Sequence, residues 1–107
     1  LKPIILYKST ITSINTDQEI IGFNAINGTE IWRSQKFKNR DITDLILYDD
    51  KLYFGDFEGY IHEINPENGM ITGLVKTELK SIKQIAIYSD KLIVQDTDGS
   101  ISGFDLN

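Results

Sequence analysis

The chain has 107 residues, of which 40% are hydrophobic and 25% charged, the composition of an ordinary folded domain. Its formal net charge of −5 and its lack of a basic patch argue against nucleic-acid binding, because Lys and Arg supply most of that affinity. The absence of cysteine excludes disulfides, zinc fingers and thiol catalysis, and no apolar run approaches the roughly 18 residues that a membrane helix needs.

Along the chain the same pattern recurs three times. Tyr7, Tyr48 and Tyr88 each close a short apolar run at separations of 41 and 40 residues, and Phe23, Ile64 and Phe104 recur at the same separations. Ile20, Ile61 and Ile101, and Ile11, Leu52 and Leu92, keep the same spacing. A period near 40 with no helical pattern inside it predicts an all-β fold of β-propeller blades, four antiparallel strands to a blade. Repeats are expected at about 3–41, 42–81 and 82–107, with almost no helix.

The first repeat runs over 4–33 and is the most worn, with Gln18 where Gly59 and Gly99 stand later. Lys36, Lys38 and Arg40 follow it as a small basic cluster, read as a solvated edge or loop. In the second repeat, 44–48 is a nearly continuous apolar run, as expected of an innermost strand packed on both faces. Asp49-Asp50 turns the chain into a second strand over 51–56, and Phe57-Glu58-Gly59 turns it again, with Gly59 free to take a positive φ. A third strand over 60–65 leads to the turn Pro66-Glu67-Asn68-Gly69 and a more polar fourth strand over 70–76. The third repeat gives strands at 84–88, 91–96 and 100–106, and the chain stops at Asn107 without a fourth. Pro3 and Pro66 fall at a strand start and in a turn, where a residue without an N–H is tolerated.

The expected architecture is therefore about three blades, the last lacking its outer strand, in a partial ring. Three blades cannot close a ring, and an open array exposes apolar surface at both ends. The 107 residues are expected to belong to a longer polypeptide, to be a proteolytic product, or to be completed by copies of themselves. The chain begins at Leu1 rather than Met, so a targeting segment could lie upstream.

Residues 22–33, Gly-Phe-Asn-Ala-Ile-Asn-Gly-Thr-Glu-Ile-Trp-Arg, close the first repeat and resemble the PQQ-like repeat, in which an Asn-Gly turn leads to a Trp. Asn27-Gly28 makes the turn, and Ile31 and Trp32 fall on opposite faces of the outer strand, so that Trp32 can cover the gap between blades. The second copy keeps the turn but has Gly73 in place of the Trp. Residues 52–65, Leu-Tyr-Phe-Gly-Asp-Phe-Glu-Gly-Tyr-Ile-His-Glu-Ile-Asn, and 91–101, Lys-Leu-Ile-Val-Gln-Asp-Thr-Asp-Gly-Ser-Ile, resemble the last blades of the BamB family. That resemblance implies a non-enzymatic, eight-bladed scaffold at the periplasmic face of the bacterial outer membrane. Its partner would be the periplasmic domains of the barrel-inserting BamA, and its tie to the membrane a lipid anchor outside this segment. It carries over no partner-binding residue.

The residues that invite a chemical role each have a structural one. His62 is the only histidine and lies mid-strand, with no second His or Cys to join it in catalysis or metal binding. Asp96-Thr97-Asp98-Gly99-Ser100 resembles the start of a calcium loop but lacks its later ligands, and it coincides in the repeat with the turn at Asp56-Phe57-Glu58-Gly59. Asp17, Asp49 and Asp50 are read as turn residues that hydrogen-bond their own backbone. Asn27-Gly28-Thr29 matches a glycosylation sequon, and the turn needs the same residues. No catalytic, cofactor-binding or metal-binding residue is assigned. Two alternatives stay open: part of a quinoprotein dehydrogenase, which shares this repeat and binds pyrroloquinoline quinone with calcium, and a generic propeller docking module.

Overall fold

The computed structural model describes residues 2–106; Leu1 and Asn107, where the chain begins and ends, lie outside the described residues. Among the described residues there are strands and no helix: β1 (Ile5–Tyr7), β2 (Thr10–Ile14), β3 (Ile20–Asn24), β4 (Glu30–Ser34), β5 (Ile46–Tyr48), β6 (Lys51–Gly55), β7 (Tyr60–Ile64), β8 (Ile71–Lys76), β9 (Ile82–Tyr88), β10 (Lys91–Asp96) and β11 (Ile101–Asp105). They form three antiparallel meanders, β1-β2-β3-β4, β5-β6-β7-β8 and β9-β10-β11. The first strands of the sheets are neighbours, β1 to β5 and β5 to β9, so the sheets fan out from a common inner edge as open propeller blades.

Strand alternation decides which face of each sheet is buried. Leu52, Phe54 and Ile64 point from the second sheet toward the first, where they meet Ile14, Ile20 and Trp32. Tyr53 and Ile61, one residue out of phase, point the other way and meet Ile82, Leu92 and Val94 of the third sheet. Each fully buried aliphatic side chain contributes roughly 1.5–3 kcal/mol. The connection over 35–45 adds Phe37, Ile42 and Leu45 to the first of these cores.

The innermost strand of the second sheet is shorter than its apolar run suggests. Leu45 belongs to the connection, buried in the first core, and pairing starts at Ile46. Leu47 is 37% exposed, not packed on both faces, because the inner edge of an open fan is not enclosed. Register shifts at Gly22/Phe23, Glu63/Ile64 and Gln95/Asp96 bend the sheets at positions that the sequence pattern does not mark.

Trp32 is the clasp between the first two sheets. Its indole Nε1–H donates to the carbonyl of Pro66 at 2.9 Å. Gly22, its cross-strand partner, and Gly69, in the turn of the next sheet, leave room for the ring; a Cβ at either would lie 2.2 and 2.4 Å from it. In the second sheet the equivalent pair has exchanged sizes. Gly73 stands opposite Glu63, whose side chain covers it.

Candidate interaction surface

The turns at one end of the fan are three copies of one device. The Oδ1 atoms of Asn15, Asp56 and Asp96 each accept from the backbone N–H two and four residues on. Each of the three also donates its own N–H to the carbonyl four residues ahead. In the first turn the acceptor is therefore Asn15, not Asp17, whose N–H is a donor. Gln18, Gly59 and Gly99 all adopt a left-handed conformation, with φ of 62°, 86° and 85°. Gln18 compensates for its strain by accepting the Ile42 N–H at 3.1 Å, which ties the turn to the connection below. Asp49 and Asp50 turn the chain through φ values of 48° and 65°, the double positive φ of a tight hairpin, not through side-chain acceptance.

At the calcium-like segment, the Asp96 Oδ1 is aimed at backbone N–H groups of its own turn, as in the Asp56 copy. Asn27 Oδ1 likewise accepts both the N–H and the hydroxyl of Thr29. No group of three or more His, Cys, Asp or Glu is placed to hold a metal ion among the described residues.

Asp56 is the most heavily engaged polar group. It is completely buried and accepts from His62 Nε2 at 2.8 Å and from Arg40 Nε at 3.0 Å, besides the two turn N–H groups. Burial pushes its carboxyl up, but the bonds from His62, Tyr60, Glu58 and Arg40 outweigh it and hold the group below the usual carboxylate range. His62 is packed between Phe37 and Phe54, with ring centroids 4.9 and 5.0 Å away. Arg40 also bridges to Glu58 at 3.0 Å, so one member of the small basic cluster is spent on the fold while Lys36 and Lys38 face solvent. This network joins the 35–45 connection to the second sheet. Sequence reasoning read Asp56 only as a turn residue; the signal for its second role was His62 opposite Phe54 in the adjacent strand.

Among the described residues, exposed apolar side chains lie at the two ends of the fan and also at Met70 and at Leu74 and Val75 of β8. Tyr7 is 8% exposed under the second sheet, Tyr48 is half-buried under the third, and Tyr88, with no sheet beyond it among the described residues, is 76% exposed. Ile20, Ile61 and Ile101 follow the same course, at 0%, 6% and 65%. At the opposite end Leu6, Ile11, Phe23 and Ile31 line the outer face of the first sheet, with Leu6 61% exposed. A cleft of about 160 Å³ between the second and third sheets is lined by Tyr53, Ile61, Val75, Leu92, Phe104 and Leu106. Burial pushes the Tyr53 hydroxyl up to about 12, helped by a hydrogen bond to Glu63.

No family model matches the chain. The outer membrane protein assembly factor BamB of Shewanella oneidensis is 31% identical over 90 residues, covering 83% of this chain and 23% of that protein. BamB of Escherichia coli is 27% identical over 89 residues, 82% of this chain and 23% of that protein. The chain thus spans about a quarter of the length of these curated relatives. Among solved structures, BamB from Moraxella catarrhalis superposes with a TM-score of 0.84 at 22% identity, over 95% of this chain and 31% of that one. A quinohemoprotein alcohol dehydrogenase from Pseudomonas putida gives 0.75 at 14% identity, over 96% of this chain and 18% of that one. Both structural likenesses concern the fold.

Proposed function

We propose, for a chain that is BamB-like in sequence and a propeller segment in fold, that it is part of a non-enzymatic scaffold for the assembly of outer-membrane β-barrels. The observation that carries this reading is the similarity of 83% of the chain to an assembly factor of that name. In this reading each repeat, at about 3–41, 42–81 and 82–107, is one blade, the last three of the assembly factor's ring. The protein works at the periplasmic face of the outer membrane, and its partner is the periplasmic part of a BamA-like barrel-inserting protein. The geometry is compatible with a scaffold: the buried charges of the Arg40–Asp56–His62 network are paired with one another, and apolar side chains are exposed at both ends of the fan.

The test is binding. The chain and the periplasmic domains of BamA from a bacterium bearing a close relative are mixed and followed by calorimetry. Saturable binding is the expected outcome; no heat of binding at concentrations well above micromolar would reject the scaffold role. Reduction of an artificial electron acceptor after addition of pyrroloquinoline quinone, calcium and an alcohol would favour the quinoprotein alternative instead.

A further inference from the structure

We propose that the outer edge of β8 is a docking site for an extended segment of a partner protein, apolar on alternate residues and acidic at its N-terminal end. The segment adds to the second sheet as a further antiparallel strand. β8 lies farthest from the inner edge at which β1, β5 and β9 adjoin, and among the described residues it pairs with β7 alone. Blades continued past either end of the chain would cover the flat faces of the first and third sheets, whereas this edge points outward from the fan. Leu74 stands opposite His62 and Ile71 opposite Ile64, so both face the first sheet, whose four strands are all present. They are nonetheless 57% and 44% exposed, and Met70 beside them 64%. Their exposure therefore does not come from where the chain begins or ends.

An open edge strand is ordinarily guarded by charge, and the two outer strands differ in this. β4, of five residues, carries Glu30 and Arg33, bridged to each other. In β8, of six residues, 71–75 reads Ile-Thr-Gly-Leu-Val, without charge or proline, and its outward N–H and C=O groups are open to another chain. Charge decides the occupant. Lys76 ends β8; its Nζ donates to the Thr77 carbonyl at 3.0 Å and lies 5.4 Å from the centre of the Tyr60 ring. No carboxylate bridges Lys76 among the described residues, nor exposed Lys36 and Lys38, which flank Phe37 where it packs on His62, the partner of Leu74. A strand running antiparallel to β8, as β7 does on its other side, brings its N-terminal end to Lys76, and carboxylates there meet this uncompensated charge. The β8 strand of a second copy has no carboxylate to offer. The inference rests on strand geometry and stands independently of the outer-membrane reading.

The test titrates the chain with a fluorescein-labelled peptide, Asp-Asp-Val-Thr-Val-Thr-Val-Thr, and with its Lys-Lys counterpart, followed by fluorescence anisotropy and hydrogen exchange. The acidic peptide is expected to bind saturably, roughly tenfold tighter than the basic one, and to slow exchange of the β8 amides but not of those in β4. Leu74→Lys guards the edge as Glu30 and Arg33 guard β4, and is expected to abolish binding of both peptides. Lys76→Glu leaves the edge open and is expected to reverse the preference toward the basic peptide. Both positions are exposed, so both variants are expected to melt with the wild type. Failure of the acidic peptide to bind, slowed exchange elsewhere than in β8, a Lys76→Glu variant that keeps the wild-type preference, or a wild-type chain that pairs with itself through β8 in place of the peptide would each overturn the proposal.

Discussion

The indole N–H of Trp32 reaches 2.9 Å across a sheet boundary to the carbonyl of Pro66, and this bond joins two blades whose backbones are otherwise separate ladders. Trp32→Ala is expected to cost about 3–5 kcal/mol, the range for removing a buried aromatic side chain. Trp32→Phe keeps part of the packing but leaves the Pro66 carbonyl without its donor, and is expected to cost less. Gly22→Ala, which drives a methyl into the ring, is expected to cost roughly 1–3 kcal/mol. Urea unfolding of the three variants checks the order.

Gly59 and Gly99 share a left-handed conformation but not a neighbourhood. A Cβ on Gly59 would lie 2.3 Å from the carbonyl oxygen of Leu79, whereas one on Gly99 meets nothing within 4 Å. Gly99→Ala is expected to cost about 1 kcal/mol from backbone strain alone, and Gly59→Ala distinctly more. Equal losses in thermal melts would contradict the assigned geometry of the 77–81 connection.

Asp56 makes stability depend on acid. Its folded-state pKa lies below the unfolded value of about 3.9, so its contribution is present above that value and is lost as pH falls through the folded one. Melting temperature is expected to drop below about pH 4 in the wild-type chain. Asp56→Asn is expected to be less stable at pH 7, because the bonds from Arg40 and His62 lose their anionic acceptor, and to fall less steeply in acid.

Tyr53 acts at the other end of the scale. With its hydroxyl raised to about 12 from an ordinary value of 10.0, the folded chain favours the neutral phenol. That stability is complete below the unfolded value and is lost as pH rises from there toward the folded one. Tyr53→Phe is expected to remove this part of the alkaline loss, which melts between neutral pH and pH 11 would reveal.

The Thr12 hydroxyl is fully buried between the first two sheets and has no hydrogen-bond partner among the described residues. Replacing it by an isosteric methyl removes that desolvation cost, so Thr12→Val is expected to raise stability by about 1 kcal/mol. A loss in chemical denaturation would show that the hydroxyl is satisfied after all.

The repeat made the blades legible because period and alternation are properties of single residues. The repeat spacing picked out Tyr7, Ile20, Leu52 and Ile61, all of them buried, and Trp32's place after an Asn-Gly turn put it at a blade boundary. What stayed hidden depends on pairs. The bulge at Gly22/Phe23, the start of β5 after the buried Leu45, and the bond from His62 to Asp56 follow from cross-strand register, which no single position announces. Asp17 shows the same limit at short range. Its turn was recognisable, but the acceptor lay two residues earlier, at Asn15.

Trp32 is also the sole tryptophan of the chain, held at the boundary between the first and second sheets and remote from the second boundary, which is built around Leu92 and Val94. Excited selectively at the red edge of its absorption, it makes a built-in optical gauge of that one seam. A shift of its emission while the far-ultraviolet spectrum is unchanged would report the first blade swinging away from an intact pair, without a label being attached.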